Sequence, residues 1–180
     1  MRWLEVRRHS LTRKGPDRGR SSHLSAEGVA LARHVGGSLG PFARVVTSAS
    51  PRAVETALAM GFAVDDTLEL PSGYVPGEVG HHDQWHWPCP FRTYAELIAR
   101  GGGLAAVAEA HRRGWAGVVA AVPDGAAALV VGHGGGIEPG LVACLPNADH
   151  GSWGAPLGHC EGARLGFDGG RFVTVELRRI

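Results

Sequence analysis

Residues 127–136 read Ala127-Ala128-Leu129-Val130-Val131-Gly132-His133-Gly134-Gly135-Gly136. A short unbroken apolar run with β-branched residues at its end is the pattern of a strand buried on both faces, and the glycines mark a turn at its C-terminal edge. Such a strand needs helices above and below it, and the surrounding sequence supplies them. Trp3–Val6 and Arg44–Thr47 read as earlier strands, and Phe62–Leu70 as a third strand with its exit. Between them fall a helix from the N-cap Ser25 to about Leu39, striped by Val29, Ala32 and Val35, and a helix opening at Ser50-Pro51 and stopping at Gly61. Thr93–Arg100, Leu104–Val122 and Ile137–Leu145 read as further helices. Ala163–Phe167 and Arg171–Leu177, joined by Asp168-Gly169-Gly170, read as a hairpin. The expected fold class is α/β: a three-layer α/β/α sandwich with a mostly parallel central sheet and a C-terminal hairpin, in one domain over residues 1–180.

Composition narrows the function. The 180 residues carry 18 Lys+Arg against 17 Asp+Glu, a formal charge of +1, so the cationic excess of a nucleic-acid binder is missing. Hydrophobic residues at 44% exclude a disordered chain. Cys89, Cys144 and Cys160 form neither a disulfide framework nor a zinc-knuckle spacing, so a reduced, cytoplasmic setting is expected. The start of the chain lacks the apolar stretch of a signal peptide, and no run approaches the roughly 18 apolar residues of a membrane span. Neither nucleic acid nor membrane is an expected partner, and oligomeric state is left open.

In an open α/β sheet, ligands bind beyond the carboxyl ends of the strands. Arg8 and His9 follow the first strand, Arg52 opens the helix after the second, and His133 follows the buried strand. Arg7 reads as solvating a strand end. Two cations and two imidazoles on one rim make a pocket for a dianion, and arginine's planar fork suits phosphate oxygens. The helix start at Ser50–Arg52 adds backbone N–H groups and the positive end of a dipole. A neutral imidazole there can attack phosphorus and give a phosphohistidine that water opens, with the guanidiniums carrying the developing charge and no cofactor required. The departing alkoxide needs a proton donor.

These residues sit in recognisable blocks. Val6-Arg7-Arg8-His9-Ser10 resembles the Arg-His-Gly signature of the histidine phosphatase superfamily, the phosphoglycerate-mutase-like clan. Leu24-Ser25-Ala26-Glu27-Gly28 is similar to its following helix start. Val46 to Ala57 is similar to its Ser-x-x-x-Arg-Ala-x-x-Thr-Ala block, and Val130 to Gly135 to the block around its second histidine. The resemblance runs in the family's order from residue 4 to about 137. It implies that His9 is the phosphorylated nucleophile and that Arg8, Arg52 and His133 bind the phosphoryl group, helped by the N–H of Gly134 and the hydroxyl of Thr12. Ser10 stands where relatives usually have glycine. Many relatives place a Glu after the third strand as the acid. Glu69 lies there but close to Arg52; Glu78 has the more usual spacing and is slightly preferred, with His82 and Asp83 also open.

The expected activity is a metal-independent phosphomonoester hydrolase of the histidine acid type, acting on a small phosphorylated substrate. The alternatives are a phosphoglycerate-mutase-type phosphotransferase, a catalytically weak phosphate-binding module of the same fold, and a zinc hydrolase built on His81, His82, Asp83, His86 and Cys89. The loop Pro71–Arg92 is expected to cap the pocket with Trp85 and Trp87. His150, Trp153 and His159 are expected to form another wall. The basic loop Arg13–Arg20 reads as solvated, or as a recruiter of anionic substrate tails.

Overall fold

Strand β4 (Ala127–Gly132) occupies the centre of the sheet because both its faces are apolar. Ala128 and Val130 point to one side, Leu129 and Val131 to the other, and none is more than 4% exposed. β1 (Arg2–Arg8) and β2 (Arg44–Thr47) flank it in parallel. β3 (Asp66–Thr67) extends the parallel set beyond β2, while β5 (Gly162–Asp168) and β6 (Arg171–Arg178) add an antiparallel hairpin beyond β1. The order is β3-β2-β4-β1-β5-β6, a mostly parallel α/β sheet ending in a C-terminal hairpin, as expected. This computed structural model describes residues 1–15 and 21–180; residues 16–20, with most of the basic loop read above, lie outside them.

Helices cover the sheet on both sides. α1 (Ala26–Gly36) and α2 (Pro51–Ala59) pack on one face, where Ala53 and Ala57 meet Val45, Leu129 and Val131. α3 (Pro90–Ala99), α4 (Gly103–Ala120) and α5 (Ile137–Cys144) cover the other, burying Phe91, Tyr94, Leu104, Trp115 and Leu141 against Leu4, Val6, Ala128 and Val130. No helix among the described residues is long and apolar enough to cross a membrane.

Several boundaries differ from the sequence reading. β3 is two exposed residues rather than a strand over Phe62–Leu70, because the Asp65 carboxylate takes the N–H of Val45 and ends the ladder there. Pro90 starts α3 three residues earlier than Thr93, in the first turn, where its missing N–H is not needed. Arg7 is not a solvated strand end. It is 5% exposed, with Nη2 2.6 Å from Glu5 Oε1 and Nη1 donating to the carbonyl of Cys160 at 3.0 Å. Burial pushes the Glu5 carboxyl up while the Arg7 charge pulls it down.

α1 does begin at the Ser25 cap, whose side chain accepts the N–H of Gly28, but it stops at Gly36 rather than Leu39. A Cβ at Gly36 would lie 2.1 Å from the carbonyl oxygen of Met60 and 2.5 Å from its Cα. Both obstacles are backbone and cannot rotate away. Alanine would gain about 1 kcal/mol of helix propensity; overpacking against backbone costs about 1–3 kcal/mol and more when nothing yields. Gly36→Ala is therefore expected to lower stability by about 1–2 kcal/mol and the Tm by several degrees. Thermal unfolding that moved upward would show that the two helix ends are not in contact.

Candidate active site

The register of the parallel strands brings the chemistry to one edge. Arg8 pairs with Gly132, and the N–H of His9 donates to the carbonyl of Gly132 at 2.9 Å, so His9 and His133 leave neighbouring strands side by side. Their ring centroids are 5.3 Å apart. Thr47 pairs with Val131 on the other flank, which delivers Ser48 and the first turn of α2, with Arg52, to the same edge. The four residues line a cavity of about 450 Å³ together with Ser48, Glu69, Tyr74, His111 and Gly134.

His9 Nδ1 lies 2.7 Å from the backbone carbonyl of Ser10. A carbonyl only accepts, so Nδ1 carries the proton and Nε2 keeps its lone pair. Burial, reinforced by His133, Arg8 and Arg52, pushes this imidazole down to about 2. It is neutral at any ordinary pH. His133 Nδ1 is 3.2 Å from Arg52 Nη2 and its Nε2 is 2.7 Å from Ser48 Oγ. Since guanidinium only donates, Nδ1 accepts and Nε2–H faces the Ser48 hydroxyl; burial and then Arg52 lower His133 to about 4.

Arg8 is fixed from behind. Its Nη1 donates to the carbonyl of Leu157 at 2.8 Å, Nη2 lies 3.4 Å from His159 Nε2, and its guanidinium sits 5.9 Å above the Trp85 ring. Burial lowers both guanidiniums, and for Arg52 the charge of Arg8 adds to it. A mostly buried and a half-buried cation face one concavity, and an anion between them would relieve their mutual repulsion.

Solved structures share this architecture. A phosphoserine phosphatase from Entamoeba histolytica, in complex with 3-phosphoglyceric acid, superposes with a TM-score of 0.70 at 16% identity, over 99% of this chain and 97% of that one. A mycobacterial glucosyl-3-phosphoglycerate phosphatase complexed with VO3 gives 0.70 at 23% identity, over 99% and 98%. A protein from Thermus thermophilus gives 0.57 at 24% identity, over 96% and 98%. The chain has the histidine phosphatase fold. No family model matches the sequence, and no curated protein matches it.

Within the histidine phosphatase fold, the residues singled out from sequence divide. Arg8, His9, Arg52, His133, Gly134, Glu69 and His82 line the cavity; Glu78, Thr12 and Asp83 do not. Glu78 accepts the N–H groups of Gly103 at 2.8 Å and Leu104 at 3.4 Å, capping α4 where Gly102 offers no side chain. Spacing along a loop does not reveal such a detour. Glu69 is held at the cavity rim by the N–H of Ala49 at 2.6 Å. Thr12 instead bridges to Leu24, and Asp83 accepts the N–H of Gly80. Ser10 turns away from the cavity, donating to the carbonyl of Gly28 at 2.6 Å, so the departure from glycine puts no side chain into the cavity. Gly134 needs its lack of a side chain, since a Cβ there would lie 3.0 Å from Arg8 Nε.

The aromatic loop splits as well. Trp85 lies over Arg8, whereas Trp87 packs edge-on against Tyr94 in the core rather than over the pocket. Of the second expected wall, His159 stands beside His9, with centroids 5.7 Å apart, while His150 and Trp153 pack away from it with Phe91. Among the described residues no three His, Cys, Asp or Glu side chains are grouped to hold a metal, which leaves the His81–Cys89 zinc reading without a site. Sequence reasoning missed Ser48, Tyr74, His111 and Glu138. Glu138 is fully buried and accepts the N–H groups of Gly135 and Leu157. Its only local signal is an acid in the first turn of an otherwise apolar helix.

The buried imidazoles set the pH response. His133 and His159 are each lowered to about 4 and His9 to about 2, all by burial first. The unfolded chain therefore takes up these protons first as pH falls below about 6.5, and each ring withdraws up to about 1.4 kcal/mol per pH unit. Their contribution is complete above about pH 6.5 and is lost as pH falls through 4 and below. In phosphate-free buffer, Tm is expected to fall steadily from pH 7 to 4.5. A flat profile would contradict the burial of these rings.

Proposed function

We propose that the chain is a metal-independent phosphomonoesterase that works through a phosphohistidine on His9. The observation that carries this is the His9 imidazole, locked by the Ser10 carbonyl as the Nδ1–H tautomer in a cavity edged by two guanidiniums and a second imidazole. In the first step Nε2 attacks phosphorus as the bond to the ester oxygen breaks. Arg8, Arg52 and the N–H of Gly134 carry the charge on the equatorial oxygens, His133 adds a neutral donor once its Nε2–H turns from the Ser48 hydroxyl to a phosphoryl oxygen, and a cradle already in place stabilises the transition state. Glu69 gives its proton to the departing alkoxide. As a carboxylate it then takes a proton from the water that attacks the phosphohistidine, which returns free His9 and inorganic phosphate. Glu69 takes this role over Glu78 because it alone of the two lines the cavity.

The comparisons support the reading at a coarser level. Two proteins of the same fold are phosphatases, one solved in complex with 3-phosphoglyceric acid and the other with VO3. The substrate we assign to this chain is accordingly a small phosphorylated molecule.

With para-nitrophenyl phosphate in EDTA, the wild type is expected to turn over and His9→Ala to lose at least about 10³-fold in rate, since the covalent route disappears. Quenched wild type should carry an acid-labile, alkali-stable phosphoryl group. Activity abolished by EDTA, or retained by His9→Ala, would overturn the assignment. Glu69→Gln separates the proton donor from the cradle. It should lower kcat/KM, which reports the phosphorylation of His9, by about 10²-fold or more for an alkyl phosphate, yet spare kcat/KM for para-nitrophenyl phosphate, whose leaving group needs no proton. Opening of the phosphohistidine, where Glu69 is the base, should slow alike for both. Equal losses of kcat/KM on both esters would remove Glu69 from that role.

A further inference from the structure

The cavity continues past the phosphoryl cradle. Beyond His133 its walls are Leu68, Leu70, Tyr74 and Trp115, and His111 of α4 lines it from the same side as Trp115. At about 450 Å³ it holds far more than a phosphoryl group. His111 is 6% exposed and packs edge-on to Trp115, with centroids 5.6 Å apart. Its Nδ1 lies 3.0 Å from the carbonyl of Val107 one turn back, so Nδ1 carries the proton and Nε2 the lone pair. That nitrogen makes no hydrogen bond to any described residue. A Cβ at Gly136 would come within 2.8 Å of it, so glycine is what leaves the lone pair room. Burial also keeps the ring neutral.

Nε2 faces the open cavity, and a ligand that fills the cavity without donating to it leaves an acceptor desolvated and unsatisfied, which is costly. A neutral imidazole nitrogen selects an O–H or N–H group. The cations among the described lining residues, Arg8 and Arg52, both belong to the cradle. We propose that His111 is a specificity-determining residue whose Nε2 accepts a hydrogen bond from a hydroxyl of the leaving group, so that the preferred substrates are phosphate monoesters of hydroxylated alcohols. The carbon skeleton of such an alcohol lies against Leu68, Leu70 and Tyr74. This inference rests on the phosphatase reading above.

The test compares a hexitol phosphate, with a hydroxyl on every other carbon of its chain, against n-hexyl phosphate. The ratio of kcat/KM for the two esters is expected to fall about tenfold or more in His111→Phe, because the hydroxyl loses its acceptor. His111→Gln, which restores an acceptor, should recover most of it. An unchanged ratio in His111→Phe overturns the inference while leaving the phosphatase reading intact. Hydrolysis of neither ester by the wild type overturns both. Should His111→Phe fail to fold, ¹⁵N-histidine spectra of the wild type decide: a hexitol phosphonate should move the His111 Nε2 resonance upfield and n-hexyl phosphonate should not. Identical shifts with the two phosphonates overturn the inference.

Discussion

The parallel pairing of β1 with β4 is the constraint on which the site depends. With Arg8 opposite Gly132, the residues that follow each strand emerge together, and the N–H of His9 is still tied to the Gly132 carbonyl. A slip of one residue would turn the side chains of β1 to the other face. The register is held by apolar burial: Leu4 and Val6 share one face with Ala128 and Val130, against the core under α3, α4 and α5. The antiparallel side is equally committed, since a Cβ at Gly162 would lie 1.8 Å from the Val6 carbonyl oxygen. The cluster of imidazoles and guanidiniums is thus a consequence of how hydrophobic residues alternate in the strands that lead to it.

One interior carboxyl group ties the turn after β4 to the first guanidinium. Glu138 holds the N–H of Gly135 in the turn after β4 and the N–H of Leu157 in the segment before β5. The carbonyl of Leu157 in turn fixes Arg8. One side chain therefore sets the glycine turn and the first guanidinium relative to each other, and its charge acts on Arg8 through a dry interior. Burial pushes the Glu138 carboxyl up, against the two N–H donors that favour its ionised form. The imidazoles respond in the opposite sense. Burial and neighbouring cations both favour the neutral ring, which is the form that can attack phosphorus.

What the sequence made legible was whatever periodicity and end signals encode. The centre of the sheet, the cap at Ser25, the helix start at Pro51 and the hairpin all follow from local pattern, and the residues at strand ends follow from them. The acid did not. Whether Glu69 or Glu78 reaches the cavity depends on the path of residues 71–78, and that path is set by packing between distant segments. A Cβ at Gly73 would sit 1.7 Å from the Gly135 carbonyl oxygen, so the loop is pressed onto the turn after β4, and Glu78 is left to cap α4. Trp85 and Trp87 illustrate the same limit. Two positions apart in one loop, they serve the Arg8 guanidinium and the core. His111 and Glu138 were silent for a different reason: each reads locally as an ordinary helix residue, and only tertiary packing turns it inward.

The division of the cavity has a consequence for selectivity. On the proposed reading, every phosphomonoester presents the same dianion, so a cradle made of Arg8, Arg52, His9 and His133 would bind all of them by the same contacts and discriminate among none. Selectivity must come from differences in transition-state binding elsewhere, and an apolar wall alone is a poor source, since a methylene more or less is worth only about 1–3 kcal/mol. Strong rejection requires a buried polar group that the wrong substrate leaves unpaired. In this cavity the apolar wall is Leu68, Leu70 and Trp115, and the polar atom a ligand can leave unpaired is the cavity-facing imidazole nitrogen of His111. On that reading the charged end of the site can stay invariant while exchange of a few neutral side chains on β3's exit loop and α4 redirects the proposed activity to another alcohol.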